Sequence, residues 1–232
     1  MTAIALIIGA GSGLSASLAR LFAKEGITVA LAARQIDKLA GLAEEIGALR
    51  ALRFTVDASK PDQVEKLFNQ VEQQLGIPTI VIYNPSARIS GAIVDLDPVE
   101  VLRTLEITAY GGFLVAQAAA KRLLKVGEGA IFFTGASASV KGYARSAPFA
   151  MGKFALRGLA QSLARELAPQ NIHVAHFIID GGIRSDRRPE PVDQPDSLRD
   201  PDAIAQTYLS ILRQPRSAWT WEVELRPWVE TF

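Results

Sequence analysis

Cysteine is absent from the 232 residues of the chain. That removes disulfides, thiol nucleophiles and most zinc-site types together, and a reducing cytoplasm is compatible with it. An excess of one charge is also missing, since 25 basic residues against 24 acidic leave a net charge of +1. No broad field draws nucleic acid or an anionic membrane, so a small-molecule partner is the expectation. Long apolar runs are lacking too. The N-terminal MTAIALIIGAGSG has no basic start and is broken by glycines after Ile8. Neither a secretory signal nor a membrane span fits, and a cytoplasmic protein is expected. Histidine occurs twice, as His173 and His176. On a strand that spacing points the rings to opposite faces, and no Cys or carboxylate cluster is nearby, so core or edge histidines are expected and no metal site.

What the chain does have is alternation. Short apolar runs at 3–9, 28–33, 52–57, 79–84, 130–135 and 173–179 read as strands buried on both faces. Between them, 14–25, 37–47, 61–75, 98–124 and 149–167 carry apolar residues at helical spacing. Strand and helix in turn predict a doubly wound parallel α/β sheet of the Rossmann type, as a single domain over 1–232. The tail 217–228, SAWTWEVELRPW, alternates enough for a last strand, and its three tryptophans suggest packing or a subunit contact. One stretch breaks the alternation. Residues 184–201, RSDRRPEPVDQPDSLRDP, are charged and proline-rich, with nothing that reads as core. They are either a solvated connection or a substrate lid, and their place after the last parallel strand favours the lid.

The first strand runs into IIGAGSGLSASLARLF, a turn holding Gly9, Gly11, Ser12 and Gly13, with a helix opening at Leu14. Glycines let backbone amides approach a pyrophosphate, whose charge a helix N-terminus favours. The second strand ends ALAAR, with no carboxylate to bond a ribose 2′-hydroxyl and with Arg34 placed to accept a 2′-phosphate. NADP is therefore expected ahead of NAD; a solvated loop arginine is the alternative. Asp57, ending the third strand, suits either an adenine edge or a turn.

With these pieces in order, the chain resembles the short-chain dehydrogenase/reductase family over nearly its whole length. IGAGSGLS (8–15) looks like the family's T-G-x-x-x-G-x-G, YNPSA (83–87) like N-N-A-G with Asn84 kept, FAMGKFALRGLAQSLARELAP (149–169) like the active-site helix, and IDGGIRS (179–185) like P-G-x-x-x-T. The resemblance implies hydride transfer between a nicotinamide and a carbonyl or alcohol carbon, with Asn84, Gly181 and Ile183 among the cofactor-binding residues. It also implies a homodimer or homotetramer built on the helices near 98–124 and 149–167.

The family's proton relay is altered. Its lysine is Lys153, but the tyrosine four residues earlier is Phe149, the asparagine aligns with Thr108, and the serine falls on Ala136 with Ser137 one residue along. Phenylalanine cannot give or take a proton, and general acid–base help is worth about 10²–10⁴-fold. Tyr143 in SVKGYARSAP is a substitute donor or an ordinary loop tyrosine. Lys153 either grips the nicotinamide ribose or packs its stem with its head in water. Two functions follow: an NADP-dependent oxidoreductase acting on a small carbonyl with a degenerate site, or a catalytically silent NADP(H)-binding sensor or structural subunit.

Overall fold

Seven short strands, most of them buried apolar runs, form one parallel sheet in the computed structural model, which describes residues 3–185 and 188–230. They are β1 Ile4–Ile8, β2 Thr28–Ala33, β3 Ala51–Thr55, β4 Ile80–Tyr83, β5 Gly129–Thr134, β6 Ile172–Ile179 and β7 Glu222–Leu225, in the order β3-β2-β1-β4-β5-β6-β7. Every pairing is parallel. The helices are α1 Leu14–Lys24, α2 Ala40–Ile46, α3 Pro61–Gln74, α4 Pro98–Leu105, α5 Gly111–Val126, α6 Ala147–Leu167 and α7 Pro201–Leu212. Two apolar cores result, one on each face of the sheet. Leu6, Ile8, Val81, Tyr83, Ile131 and Phe133 point to one face, under α3, α5 and α6. Ile7, Leu31, Ile82, Phe132 and Phe177 point to the other, under α1, α2 and α7. This is the Rossmann-type fold expected from the alternation.

The chain moves outward from β1 through β2 to β3, then crosses back to place β4 on the other side of β1. Ligands of open parallel sheets bind where strand order reverses, outside the carboxyl ends of the strands. Here that point lies between the ends of β1 and β4.

Three local features depart from the periodic reading. The helix expected over 98–124 is interrupted by a π-helical turn, Glu106–Tyr110. Such a turn misaligns the helix ladder, and the Tyr83 hydroxyl donates to the Ile107 carbonyl at 2.5 Å. Helix α7 has no counterpart in the sequence reading. Asp200 caps it by accepting from the Asp202 amide, Pro201 opens it, and Tyr208 shares a 2.9 Å hydrogen bond with Thr134 at the end of β5. Its Asp-Pro start adjoins the charged run, which masks the helical spacing of Ile204, Tyr208 and Ile211. Within 184–201, where nothing read as core, Ser197 and Arg199 are buried, and Arg199 donates to the carbonyls of Leu225 and Gly181. Two backbone oxygens take its terminal N–H groups, which offsets part of the cost of burying a guanidinium. Residues 186 and 187 of that stretch lie outside the described residues, as do 1–2 and 231–232.

The tail forms the edge strand β7. Trp219 stacks on His173 at 4.6 Å, Trp221 lies under the Arg157 guanidinium at 5.9 Å, and Trp228 donates to the Pro195 carbonyl at 3.1 Å. Among the described residues, no helix is long and apolar enough to cross a membrane.

Candidate active site

At the end of β1 the chain turns through Gly9, whose φ of +79° suits glycine; a Cβ there would come within 2.7 Å of the Pro85 nitrogen. Gly11 and Gly13 differ, because a Cβ on either would meet nothing within 4 Å. Their backbone faces open space. Gly13 caps α1 without any side-chain hydrogen bond, which leaves the helix's positive end for an anionic ligand. Asn84, just past β4, holds this turn by donating to the Ser15 hydroxyl at 2.7 Å and the Gly9 carbonyl at 3.4 Å, and Ser15 donates to Gly9 O at 3.2 Å. The switch point is thereby cross-braced.

A cleft of about 740 Å³ opens there. Gly9, Gly11, Ser12, Arg34, Asp57 and Asn84 line it, together with Lys38, Ser59, Ser86 and Ile107. Burial raises the pKa of Asp57, but hydrogen bonds from the Ser59 hydroxyl and amide outweigh it, with Arg34 and Lys60 adding to them, and hold the carboxyl below its ordinary range. That Asx-type turn leads into α3. Lys38 is a cation the sequence reading missed; its place one turn beyond Arg34 was the available signal. Leu14 turns its side chain into the core, and Gly181 and Ile183 lie beyond the end of β6, tied to Arg199. Those three do not line the cleft, and neither do Gly13 and Lys153.

The residues that the sequence resemblance assigns to the reaction centre sit on α6 and the loops facing it. Lys153 is 3% exposed, so its head is inside the protein, and its Nζ donates to the Thr134 carbonyl at 2.7 Å. Burial without a carboxylate pulls this ammonium down to about 8. Phe149, one turn earlier, has the Arg88 guanidinium 5.2 Å from its ring centroid. Thr108 is buried in the π-helical turn and accepts from the Ala87 amide at 3.1 Å. Gly152 makes this possible, since a Cβ there would approach the Thr108 Cβ to 2.9 Å. Ser137 is half-buried in a 3₁₀ turn, Ser137–Ser139. Tyr143 is 43% exposed, with the Lys141 ammonium 5.6 Å over its ring and 3.8 Å from Asp180.

Behind these groups runs a polar chain that sequence reasoning also missed. Arg157, one turn past Lys153, makes two 2.7 Å hydrogen bonds to Glu222, which accepts from His176 Nδ1 at 3.1 Å. His176 Nε2 faces the Ser139 hydroxyl at 3.4 Å, and that oxygen accepts from the Ala136 amide at 3.2 Å. Burial pushes His176 down to about 4, with Lys153 and Arg157 adding to it against the pull of Glu222. The ring is therefore neutral at physiological pH, with Nδ1 as donor and Nε2 as acceptor. Among the described residues, no three His, Cys, Asp or Glu side chains converge on a metal position.

The model of the short chain dehydrogenase family matches residues 3–194. The chain belongs to that family. An uncharacterised oxidoreductase of Staphylococcus aureus is 27% identical over 227 residues, covering 97% of this chain and 96% of the relative. The crystal structure of a short-chain dehydrogenase from Rhodopseudomonas palustris is 38% identical with a TM-score of 0.85, covering 97% of this chain and 99% of that one. An alcohol dehydrogenase from Thermococcus sibiricus, solved with 5-hydroxy-NADP, shares the fold at 22% identity and a TM-score of 0.88, over 100% and 99% of the two chains. This short-chain dehydrogenase is thus an oxidoreductase by family.

Proposed function

We propose that the protein is an NADP-dependent oxidoreductase that interconverts a small carbonyl compound and its alcohol. The observation that carries this reading is the cleft at the switch point, where the open glycine turn and the uncapped start of α1 lie on one side and Arg34 and Lys38 on the other. Uncapped helix amides suit a pyrophosphate, and two cations with no carboxylate at the end of β2 suit a 2′-phosphate. The 5-hydroxy-NADP in the Thermococcus sibiricus enzyme is in keeping with that choice. The nicotinamide, when bound, supplies or accepts the hydride. Lys153 holds the ribose hydroxyls and keeps a positive charge beside the reacting carbon; Phe149 provides an apolar wall and no proton. Tyr143, the phenol on the loop before α6 with the Lys141 ammonium 5.6 Å over its ring, is the proton donor in place of Phe149. Asn84 supports the glycine turn, and 184–201 closes over the substrate. Exposed Leu102, Phe113, Met151 and Phe154 on α4, α5 and α6 pair two copies of the chain.

Calorimetric titration with NADPH and NADH, followed by NADPH-consumption assays on a panel of small aldehydes and ketones, tests the reading. Tighter NADPH binding with turnover that falls in Tyr143→Phe supports it. NADPH binding without turnover on any substrate assigns the protein to the sensor or structural class.

A further inference from the structure

Arg88 belongs to no family motif, yet this exposed arginine lies over the ring of Phe149. Its guanidinium lies 5.2 Å from the centroid of Phe149, and among the described residues this is its one contact. Other cations of the carboxyl-end loops and α6 are paired: Lys141 lies 3.8 Å from Asp180, Arg157 is held by Glu222, and Arg184 is held by Asp200 and Glu190. Lys153 adds a second cation one turn along α6, bonded to a carbonyl and no carboxylate.

The backbone that carries Arg88 is anchored on both sides. Asn84 N–H donates to Ile8 O at 3.0 Å, Ala87 N–H to the buried Thr108 hydroxyl at 3.1 Å, and Gly91 N–H to Arg145 O at 3.0 Å. Stacking on an aromatic ring orients a planar guanidinium and leaves its in-plane N–H fork free. A fork so presented matches a carboxylate in two parallel hydrogen bonds.

We propose that Arg88 is the anion-binding residue of the substrate pocket, and that the substrate is an oxo acid whose carboxylate Arg88 holds while its carbonyl lies against Phe149 and Lys153. The inference rests on the oxidoreductase reading of this site and adds the substrate class. The short span from guanidinium to ring selects acids with the carboxylate one or two carbons from the carbonyl, that is, 2-oxo or 3-oxo acids.

The test uses the full chain loaded with NADP⁺, so that binding is read without turnover. Short 2-oxo and 3-oxo acids, each paired with its own neutral amide, are titrated calorimetrically into wild type, Arg88→Gln and Arg88→Lys. At least one acid is expected to bind about tenfold or more tightly than its amide. Arg88→Gln should erase that difference, and Arg88→Lys should keep part of it. Amide affinity and NADPH affinity should not move, because Arg88 lies outside the nucleotide cleft. Acids that bind no better than their amides, or whose affinity survives Arg88→Gln, overturn the proposal. Should NADPH itself not bind, the cofactor reading fails separately; the same titrations on the free protein then decide the role of Arg88 by the same comparison.

Discussion

Lys153 and Thr134 are joined by a 2.7 Å hydrogen bond from the ammonium to the last carbonyl of β5, inside the protein and with no carboxylate in contact. The ammonium is held at about 8 by burial, against an ordinary 10.5. A lysine whose folded pKa is depressed binds fewer protons folded than unfolded between these values, so stability rises with pH across that window. The cofactor-free protein should gain roughly 2 kcal/mol between pH 8 and pH 10 relative to Lys153→Met. Urea unfolding of both proteins at several pH values measures the difference. Parallel stability profiles would mean that the ammonium reaches water. The window closes near 10.5, where the unfolded lysine also loses its proton; the phenols of Tyr83 and Tyr208, raised by burial, are common to both proteins and cancel in the difference.

On the proposed reading, Arg34 and Lys38 set the choice of dinucleotide. Replacing Arg34 with Ala should weaken NADPH by about 1.5–3 kcal/mol and leave NADH nearly unchanged. Lys38→Ala should give a smaller loss of the same kind, since an ammonium meets phosphate as a point charge and not as a fork. Paired titrations with the two cofactors check both. A loss shared equally by NADPH and NADH would place the arginine on the pyrophosphate or in the fold.

Phe149→Tyr restores a phenol one turn from the buried ammonium, which favours its phenolate. NADPH oxidation on an accepted carbonyl should rise about 10²-fold, or roughly 2.7 kcal/mol of barrier. Steady-state rates with wild type and variant decide it. An unchanged rate with NADPH binding intact would show that proton delivery is not the deficit. The Arg88 guanidinium over this ring would meet the new hydroxyl, so Phe149→Tyr is best measured alongside Arg88→Gln.

Glu222 joins α6 to β6 by holding Arg157 and His176 together. Glu222→Gln keeps the shape and removes the charge, and should cost about 1–3 kcal/mol in denaturant unfolding by weakening one charge-assisted pair and the His176 bond. Ser139→Ala should cost less, about 1 kcal/mol, since it frees only the Ala136 amide and His176 Nε2. An equal cost for both variants would argue that the chain acts through the 135–139 loop and not through the Arg157 pair.

Local pattern carried much of this protein. Apolar runs such as Ile4–Ile8 and Ile172–Ile179 identify buried parallel strands because nothing else accommodates them, and the glycine turn before Leu14 marks the nucleotide end of β1. Lys153 and Phe149 are legible for the same reason: they lie on one helix at fixed spacing. What the sequence could not show is which residues meet across the sheet. Arg88 reaches Phe149, and Glu222 reaches His176, only because β4, β5, β6 and β7 stand side by side in that order and bring their carboxyl-end loops together. Helix α7 and the burial of Arg199 were hidden likewise, since a charged, proline-rich run is read as solvent-facing until the carbonyls of Gly181 and Leu225 are found in place to receive the guanidinium. Periodicity is a property of neighbouring residues; contacts between distant elements depend on strand order and on the buried polar groups that each new neighbour satisfies.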